Sequence, residues 1–273
     1  MGRGLDLSLQ PLIELTDVRF GYGERAVLDG LNLSIPKGQI LALMGGSGSG
    51  KTSLLSLISG RNTAWSGQVT IEGQNMRGLS RKNLYALRSR MGMLFQFGAL
   101  FTDMSVFDNI AFPFREKTDL PEPIIRDLVL MKLHAVGLRG AADFMPHELS
   151  GGMARRVALA RAIALDPMLM MYDEPFTGLD PISIGVVAQL ILKLNKTLGL
   201  TSIIVTHDLT ETLRIADRVV IISQGKVYRD LSPQEVRDSQ DPFIRQFADG
   251  LPDGPVPFHL PAKPYAEQLL SNS

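Results

Sequence analysis

The sequence predicts an α/β fold whose core is a parallel β-sheet. Residues 40–44 form a continuous apolar run that ends in glycines, which is typical of a buried parallel strand. Residues 168–172 are a second apolar run of strand length, residues 201–206 are predicted to form a third strand, and a helical pattern over residues 182–198 separates the two. Strands that alternate with a helical crossover favour parallel pairing with right-handed connections.

Shorter strand patterns flank this core. Residues 12–35 and 67–74 are predicted to form short strands, because apolar and polar residues alternate over parts of both segments. Residues 218–223 and 226–229 are predicted to form a hairpin around Gln224-Gly225.

Two further stretches are predicted to be helical. Residues 52–59 follow the first core strand as a helix, and residues 84–165 are mainly helical. Pro121 can open a helix within the second stretch. The predicted apolar positions of that helix are Ile124, Leu128, Met131 and Val136.

Composition limits the classes of protein that this chain can represent. Its 273 residues allow one large domain or two modest ones, and 45% of them are hydrophobic, enough for a sizeable core. The 28 basic and 28 acidic residues balance, which argues against nucleic acid as a partner. The absence of cysteine excludes disulfides and thiolate zinc sites and fits a reducing compartment.

No apolar run approaches the roughly 18 residues of a membrane-spanning helix. The first ten residues lack the apolar core of a signal peptide. We therefore expect a soluble, cytoplasmic chain that needs a partner to reach a membrane.

A phosphate-binding loop follows the first core strand. Residues 45–52, GGSGSGKT, match the pattern G-x-x-x-x-G-K-[ST]. Glycines let the backbone curl so that successive N–H groups hold phosphate oxygens, and the following helix adds its positive end. Lys51 can reach the β- and γ-phosphates, and Thr52 can bind Mg²⁺. The alternative is a chance glycine-rich turn, but the strand before it and the helix after it favour a site. The loop residues assigned to phosphate binding are Gly45, Gly46, Ser47, Gly48, Ser49 and Gly50.

Two adjacent acids end the second core strand. The carboxyl ends of parallel strands face the ligand crevice, so Asp173 and Glu174 are candidate site residues. Asp173 fits a Mg²⁺ ligand, and Glu174 fits the general base for the attacking water. Such a pair, taken alone, is also common as a helix cap or a solvated turn. The phosphate loop upstream favours the catalytic interpretation.

Five further sequence features resemble motifs of the ATP-binding cassette (ABC) family. Residues 149–153, LSGGM, resemble its signature segment, about 100 residues after the phosphate loop. Gln96 fits its Q-loop, residues 179–180 its D-loop, His207 its switch histidine and Tyr22 its adenine-stacking aromatic. Taken alone, His207 would be interpreted as a structural or surface histidine, and Tyr22 as an aromatic residue of a turn or an edge strand. Gln96 alone would not indicate any function.

The family resemblance implies an ABC-type P-loop ATPase with a RecA-like parallel-sheet core, an N-terminal antiparallel β-subdomain and an inserted helical subdomain. It places the ATP-binding core in residues 1–95 and 160–242, the helical signature subdomain in residues 96–159, and a C-terminal docking tail in residues 243–273. ATP and Mg²⁺ are the implied cofactors.

The same resemblance implies the roles of the remaining motif residues. Gln96 would be a catalytic residue and a Mg²⁺ ligand, and His207 would contact the γ-phosphate. Ser150, Gly151 and Gly152 would bind the ATP held by a second copy, together with Asp180. Ser150 is expected to cap a helix over residues 151–165. The fifth signature residue, usually Gln, is Met153.

Longer segments resemble the Mla and Mce-associated lipid-transport ATPases of Gram-negative bacteria. They include residues 95–113, residues 137–142 and residues 253–258. This resemblance implies a peripheral subunit at the cytoplasmic face of the inner membrane that powers phospholipid transport between the inner and outer membranes. The implied partners are a transmembrane permease, an Mce-domain lipid-binding protein and a small STAS-domain subunit. The alternatives are an ABC transporter for another substrate and a non-transport ABC ATPase.

Two segments carry predictions about contacts. The aromatic residues within 97–107 either belong to the core or form the groove that receives the permease. The tail, residues 250–273, contains five prolines and is either disordered or an extended strip that docks on the second copy or the small subunit. Four apolar side chains and a short helix over residues 266–270 would support docking. These side chains are Val256, Phe258, Leu260 and Tyr265.

Overall fold

The computed structural model describes residues 11–96, 98–256 and 264. The chain divides into two compact units, with the boundary between Pro233 and Gln234. The predictions for Phe97, Phe258, Leu260, Tyr265 and residues 266–270 lie outside the described residues.

The secondary structure alternates between strands and helices along most of the chain. The described strands are β1 (Ile13–Tyr22), β2 (Arg25–Ile35), β3 (Ile40–Met44), β4 (Ser66–Ile71), β5 (Gln74–Asn75), β6 (Met91–Leu94), β7 (Leu169–Asp173), β8 (Thr201–Val205), β9 (Arg218–Ser223) and β10 (Lys226–Leu231). The described helices are α1 (Lys51–Ile58), α2 (Arg81–Arg88), α3 (Val106–Lys117), α4 (Glu122–Ala135), α5 (Gly151–Ala162), α6 (Pro181–Leu198), α7 (Leu209–Ile215), α8 (Pro233–Asp238) and α9 (Pro242–Asp249).

The central sheet of the first unit is largely parallel, as predicted. Its strand order is β10-β9-β3-β8-β7-β6, and only β10 pairs antiparallel to its neighbour. The carboxyl ends of β3, β8, β7 and β6 therefore lie side by side at one edge. Ligand sites of parallel sheets form at this edge.

A second, antiparallel sheet has the order β2-β1-β4-β5. Ile13 of β1 lies opposite Ile35 on one side and Ile71 on the other, and all three are fully buried. These residues share one hydrophobic cluster with Leu41 of β3 and Leu54 of α1. The shared cluster fixes the phosphate loop, between β3 and α1, against both sheets.

Helices α3, α4 and α5 share a separate hydrophobic cluster. The predicted apolar face of α4 is half right: Val136 is buried and Leu128 packs against the cluster, but Ile124 and Met131 are 46% and 65% exposed. The buried face consists of Ile125, Val129 and Leu133, which repeat every four residues and so lie one above another. Helix α5 begins after Ser150, as predicted, and ends at Ala162, three residues before the predicted end. Val157, Ala160 and, beyond the helix end, Ala164 belong to the cluster, and Met153 packs against it.

Residues 84–165 are mainly helical, as predicted, but they also contain strand β6, which the sequence did not predict. This strand has four residues, too few for a clear period, and contains a glycine that strands usually disfavour. A Cβ atom at Gly92 would lie 2.2 Å from the Met170 sulfur and 2.5 Å from the Ala162 carbonyl oxygen. The glycine is therefore needed for close packing of β6 against β7 and α5.

The second unit contains α9 and the first residues of the predicted tail. Asp241 caps α9 by accepting a hydrogen bond from the Phe243 N–H at 2.9 Å. The Gln246 side chain donates to the Val256 carbonyl at 2.9 Å and accepts from the Val256 N–H at 2.8 Å. Residues 250–256 thus fold back on α9. The domain boundaries and the docking of the tail stay predictions.

Within residues 11–96 and 98–256, no helix is both long enough and apolar enough to cross a bilayer.

Candidate nucleotide site

The phosphate loop requires glycine at two positions for steric reasons. Gly45 has φ 146°, and a Cβ atom there would lie 2.3 Å from the Ile222 carbonyl oxygen. Gly50 has φ 105°, and a Cβ atom there would lie 2.5 Å from Leu28 Cδ2. L-residues with a side chain rarely adopt either backbone conformation. The loop can therefore keep its tight curl only with glycine at both positions.

The loop holds a buried cation and a buried hydroxyl that suit an anionic ligand. Lys51 is 7% exposed, and its Nζ donates to the Gly45 and Gly46 carbonyls at 2.7 and 2.9 Å. Burial lowers the pKa of Lys51, while the negative charges of Glu174 and Asp173 oppose this shift. The Ser49 hydroxyl is buried and has no hydrogen-bond partner. Phosphate oxygens would satisfy both groups.

Oxygen donors at the same edge fit Mg²⁺. Asp173 is the last residue of β7, and burial raises the pKa of its carboxyl group although the Lys51 cation opposes the shift. A bound cation would compensate this burial. The described residues contain no group of three or more His, Cys, Asp or Glu residues arranged for a metal. Mg²⁺ usually needs only one or two protein carboxylates besides substrate phosphates. Asp173 lies close enough to Lys51 for their charges to interact, and Thr52 follows Lys51 in the loop, so both carry such oxygens at the site. The binding of Mg²⁺ by Gln96 stays a prediction.

Glu174 and His207 form a hydrogen-bonded pair at this edge. His207 Nε2 lies 3.1 Å from Glu174 Oε1, and the His207 backbone N–H donates to Glu174 Oε2 at 3.4 Å. The Thr177 hydroxyl donates to the same Oε2 at 3.3 Å. Glu174 has a left-handed backbone with φ 51°, and its N–H donates to the Val205 carbonyl at 2.8 Å. These contacts hold the carboxylate in one orientation.

Gln96 lies two residues after β6, the outermost parallel strand. The strand order places this residue three strands from the phosphate loop, about 14 Å at ordinary strand spacing. It is half-buried. The strand that positions Gln96 is the one that the sequence did not predict.

Tyr22 borders a cleft beside the phosphate loop. The cleft has a volume of about 420 Å³ and is lined by Tyr22, Arg25, Val27 and residues 48–53. Tyr22 is 59% exposed, and its hydroxyl lies 3.5 Å from Ser53 Oγ. An exposed ring at the end of a phosphate loop can stack on a base.

The signature residues lie at the start of α5. Ser150 caps this helix by accepting a hydrogen bond from the Met153 N–H at 3.2 Å. A Cβ atom at Gly152 would lie 2.5 Å from Ser183 Oγ of α6, so glycine permits the close approach of α5 and α6. No hydrogen bond in the described chain joins residues 150–152 to the phosphate loop.

Asp180 caps α6. Its carboxylate accepts from the backbone N–H groups of Ile182 and Ser183, both at 3.0 Å, and from the Ser183 hydroxyl at 2.5 Å. The bonds from Ser183 lower the pKa of Asp180.

Two arginines of α5 bind the backbone on both sides of Gln96, and sequence reasoning missed both. Arg155 is 7% exposed and donates to the Phe95 carbonyl at 2.9 Å and to the Thr177 carbonyl at 3.1 Å. Arg161 donates to the Gly98 and Ala99 carbonyls at 3.2 and 2.7 Å. The signature helix is thus bonded to the Gln96 loop and to the turn that follows Glu174.

We expect Arg155→Met to destabilise the fold and to slow catalysis more than it weakens nucleotide binding. Two carbonyls would lose their donor, at a cost of about 1–3 kcal/mol each. For a chain of this size a loss of about 3 kcal/mol lowers Tm by roughly 6–12 °C. Thermal unfolding and steady-state ATPase assays measure both effects. Arg126→Met is the matched control, because Arg126 is exposed and its one ion pair within the described residues is with its neighbour Asp127. A Tm equal to that of the control would contradict the role of Arg155.

A parallel sheet with a phosphate loop, a buried lysine and an acid pair at one edge defines a P-loop nucleotide hydrolase. A family model described as "ABC transporter" matches residues 28–177. The Intermembrane phospholipid transport system ATP-binding protein MlaF of Escherichia coli K12 is 52% identical over 98% of this chain and 100% of its own length. The protein of the same name from Haemophilus influenzae is 56% identical over 96% of this chain and 99% of its own length.

Solved structures agree with this match. The dimeric post-hydrolysis state of the ATP-binding cassette MJ0796, bound to ADP and Pi, superposes with TM-score 0.73. It is 30% identical and covers 81% of this chain and 98% of its own. CbiO1 from Clostridium perfringens, part of the ABC transporter complex cbiONQ, has TM-score 0.79 and 30% identity, and covers 89% of this chain and 96% of its own. This chain belongs to the ABC transporter ATP-binding family. It is a nucleotide-binding ATPase.

Proposed function

We propose that this chain hydrolyses ATP with Mg²⁺ and thereby powers phospholipid transport between the inner and outer membranes through a partner permease. The hydrogen-bonded pair of Glu174 and His207 beside the phosphate loop is the observation that supports ATP hydrolysis. The phospholipid substrate is supported by the MlaF relatives, which are 52–56% identical over nearly the whole chain. We also propose a peripheral position at the cytoplasmic face of the inner membrane, which the same relatives and the ABC architecture support.

The proposed reaction is an in-line attack of water on the γ-phosphorus of ATP. The water oxygen bonds to phosphorus, its proton passes to the Glu174 carboxylate, and the bond between the γ-phosphorus and the ADP oxygen breaks. His207 keeps the Glu174 carboxylate oriented and can donate to the γ-phosphate. Lys51 exchanges its bonds to the Gly45 and Gly46 carbonyls for bonds to phosphate oxygens. Thr52, Asp173 and Gln96 would hold Mg²⁺, which neutralises phosphate charge when bound.

The second half of each site is proposed to come from a second copy of the chain. Ser150, Gly151 and Gly152 form the open N-terminus of α5, which suits a γ-phosphate presented from outside the chain. Asp180 begins α6 beside this helix end. Two solved structures of similar cassettes are dimers, which supports this arrangement.

Mixing two inactive variants tests the shared site. Lys51→Ala removes the cation from the phosphate-loop half of each composite site. Ser150→Ala removes the helix cap from the signature half, so each variant alone should be nearly inactive. In a mixed dimer, one composite site keeps both residues. Random association in equal amounts should therefore restore up to about a quarter of the wild-type rate, since half of the dimers are mixed and each has one intact site. Full wild-type activity at concentrations where only monomer is detected would contradict the shared site.

The permease is proposed to dock in an apolar cleft of about 430 Å³ beside β6 and α3. Phe101 and Phe112 line it with ring centres 4.9 Å apart, and Arg161 lies 5.2 Å from the Phe101 ring centre. Phe101 is 38% exposed, so part of an apolar ring faces solvent. The Mce-domain protein and the STAS-domain subunit are proposed as further partners from the resemblance to the Mla system.

Phe101→Asp tests both the cleft and the substrate. Reconstituted with its permease, this variant should lose complex formation and ATP-driven phospholipid transport. The reason is that a charge would replace an apolar ring that the docked permease is proposed to bury. The isolated subunit should keep its ATPase activity. Phe144→Asp is the matched control, since Phe144 is 40% exposed and does not line the cleft. Unchanged complex formation and transport would rule out the cleft. Transport of a different solute by an otherwise active complex would point to the alternative substrate class.

A further inference from the structure

The zero net charge of the chain conceals a strong separation of charge along the sequence. Residues 30–102 contain eight Lys and Arg residues but a single acid, Glu72. The rest of the chain therefore carries seven more acids than bases. Only Lys51 of the eight cations lies in the phosphate loop, so the nucleotide explains one of these charges.

Five of these cations surround α2 and the loop of residues 59–65. They are Arg61, Arg77, Arg81, Lys82 and Arg88, and we call them the basic face. Arg88 donates to the Ser59 and Gly60 carbonyls at 2.9 and 2.6 Å. Arg77 donates to the Ala64 and Trp65 carbonyls, both at 2.7 Å. A Cβ atom at Gly60 would lie 2.8 Å from Leu84, so this loop packs directly on α2.

The charges of the basic face are not neutralised within the described residues. Arg77 and Arg88 donate hydrogen bonds to neutral carbonyl oxygens. None of the five cations forms an ion pair with a carboxylate in the described part of the chain. Arg81 and Lys82 are exposed at the start of α2. Arg90, two residues after Arg88 in the chain, is paired with Glu72 and is not part of the face.

Two exposed aromatic side chains lie among these cations. Tyr85 of α2 is 60% exposed, and the Arg88 guanidinium lies 5.9 Å from its ring centre. Trp65, the single tryptophan of the chain, is 41% exposed in the loop that Arg77 binds. Tyr and Trp together with Lys and Arg are the residues that collect at the interface between a membrane and water. Leu87 is buried and anchors α2 to the core, so the basic face is held in place.

We propose that the basic face lies on the surface of an anionic phospholipid bilayer. The inference rests on the proposed function, because a permease seated in the apolar cleft would lie in that bilayer. Ser89, directly after α2, and Met91 of β6 both line the cleft. The basic face therefore continues from the surface proposed to meet the permease. Cationic clusters next to a membrane subunit bind the anionic lipids of the cytoplasmic leaflet.

Vesicle co-sedimentation of the purified full-length chain tests the proposal without the permease. The probes are vesicles of phosphatidylcholine alone and vesicles with about 30 mol% phosphatidylglycerol, at about 0.05 and 0.5 M NaCl. We expect binding to the anionic vesicles alone, and its loss at high salt. Arg81→Gln combined with Lys82→Gln should lower this affinity about 25-fold, since each cation near such a surface contributes about fivefold.

The control variant is Lys193→Gln combined with Lys196→Gln, which removes two exposed cations from α6 and should bind like the wild type. All variants should hydrolyse ATP at the wild-type rate, which shows that each is folded. Failure of the wild type to bind anionic vesicles, or equal binding by the Arg81/Lys82 variant, would overturn the proposal. Tighter binding of a DNA or RNA oligonucleotide than of the vesicles would replace it with a nucleic-acid surface. A failure of the proposed function would appear separately, in the transport assay with the permease.

Discussion

Replacing Glu174 with glutamine is expected to lower the rate of ATP hydrolysis about 10²–10⁴-fold while ATP still binds. Glutamine keeps the size of the side chain but cannot accept the proton of the attacking water. The bonds from Thr177 and from the His207 backbone N–H to one side-chain oxygen can persist in the amide. The local structure should therefore survive, and the loss should appear in kcat. Steady-state ATPase assays and equilibrium nucleotide binding measure the two quantities.

Glu14→Gln is the matched control for this experiment, because Glu14 is exposed on β1 in the antiparallel sheet. The control should hydrolyse ATP at the wild-type rate. Hydrolysis by Glu174→Gln at that same rate would show that another group is the general base.

Lys51→Ala is expected to weaken ATP binding about 10–150-fold and to lower hydrolysis with it. A hydrogen bond to a charged group contributes about 1.5–3 kcal/mol, and Lys51 is the one loop residue whose side chain carries a cation. Its Nζ is already buried and held by two carbonyls, so little ordering is needed when phosphate replaces them. Isothermal titration with ATP and with a non-hydrolysable analogue measures the loss.

Lys193→Ala provides the comparison for Lys51→Ala, because it removes an exposed cation of α6. Its ATP affinity should equal that of the wild type. If Lys51→Ala retained wild-type affinity, the buried lysine would have a structural role only.

The sequence predicted the sheet better than it predicted the helices around it. Strand β3 is apolar at every position, and β7 and β8 each contain a run of at least three apolar residues, which favours a buried strand. Strand β6 could not be predicted, because its four residues pair with β7 only after the chain has brought them together. Ile124 and Met131 were wrongly placed on the buried face of α4, because apolar residues lie all around this helix. Its partners, α3 and α5, decide which of them are buried.

The candidate site also contains features that neighbouring residues predict and features that depend on contacts between distant parts of the chain. The phosphate loop, the acid pair and the signature segment are local patterns, so each could be found from residue type and spacing. Arg155 and Arg161 could not, since an arginine on a helix is usually solvated. Their surroundings offered one signal: both lie in a run of small and apolar residues, where a charged side chain needs a partner. The partners of Arg155, the carbonyls of Phe95 and Thr177, are 60 and 22 residues away in the chain.

The left-handed backbone of Glu174 has a consequence for any sequence selected on thermal stability alone. A residue with a side chain at φ 51° lowers the free energy of unfolding by about 1–2 kcal/mol. Glycine at this position would avoid the penalty, and asparagine would reduce it. The most stable residue at position 174 is therefore not the one that can accept a proton from water. Repeated selection for heat resistance without selection for ATP turnover should drift at this position toward glycine or asparagine. The resulting proteins would be more stable to heat and would not hydrolyse ATP.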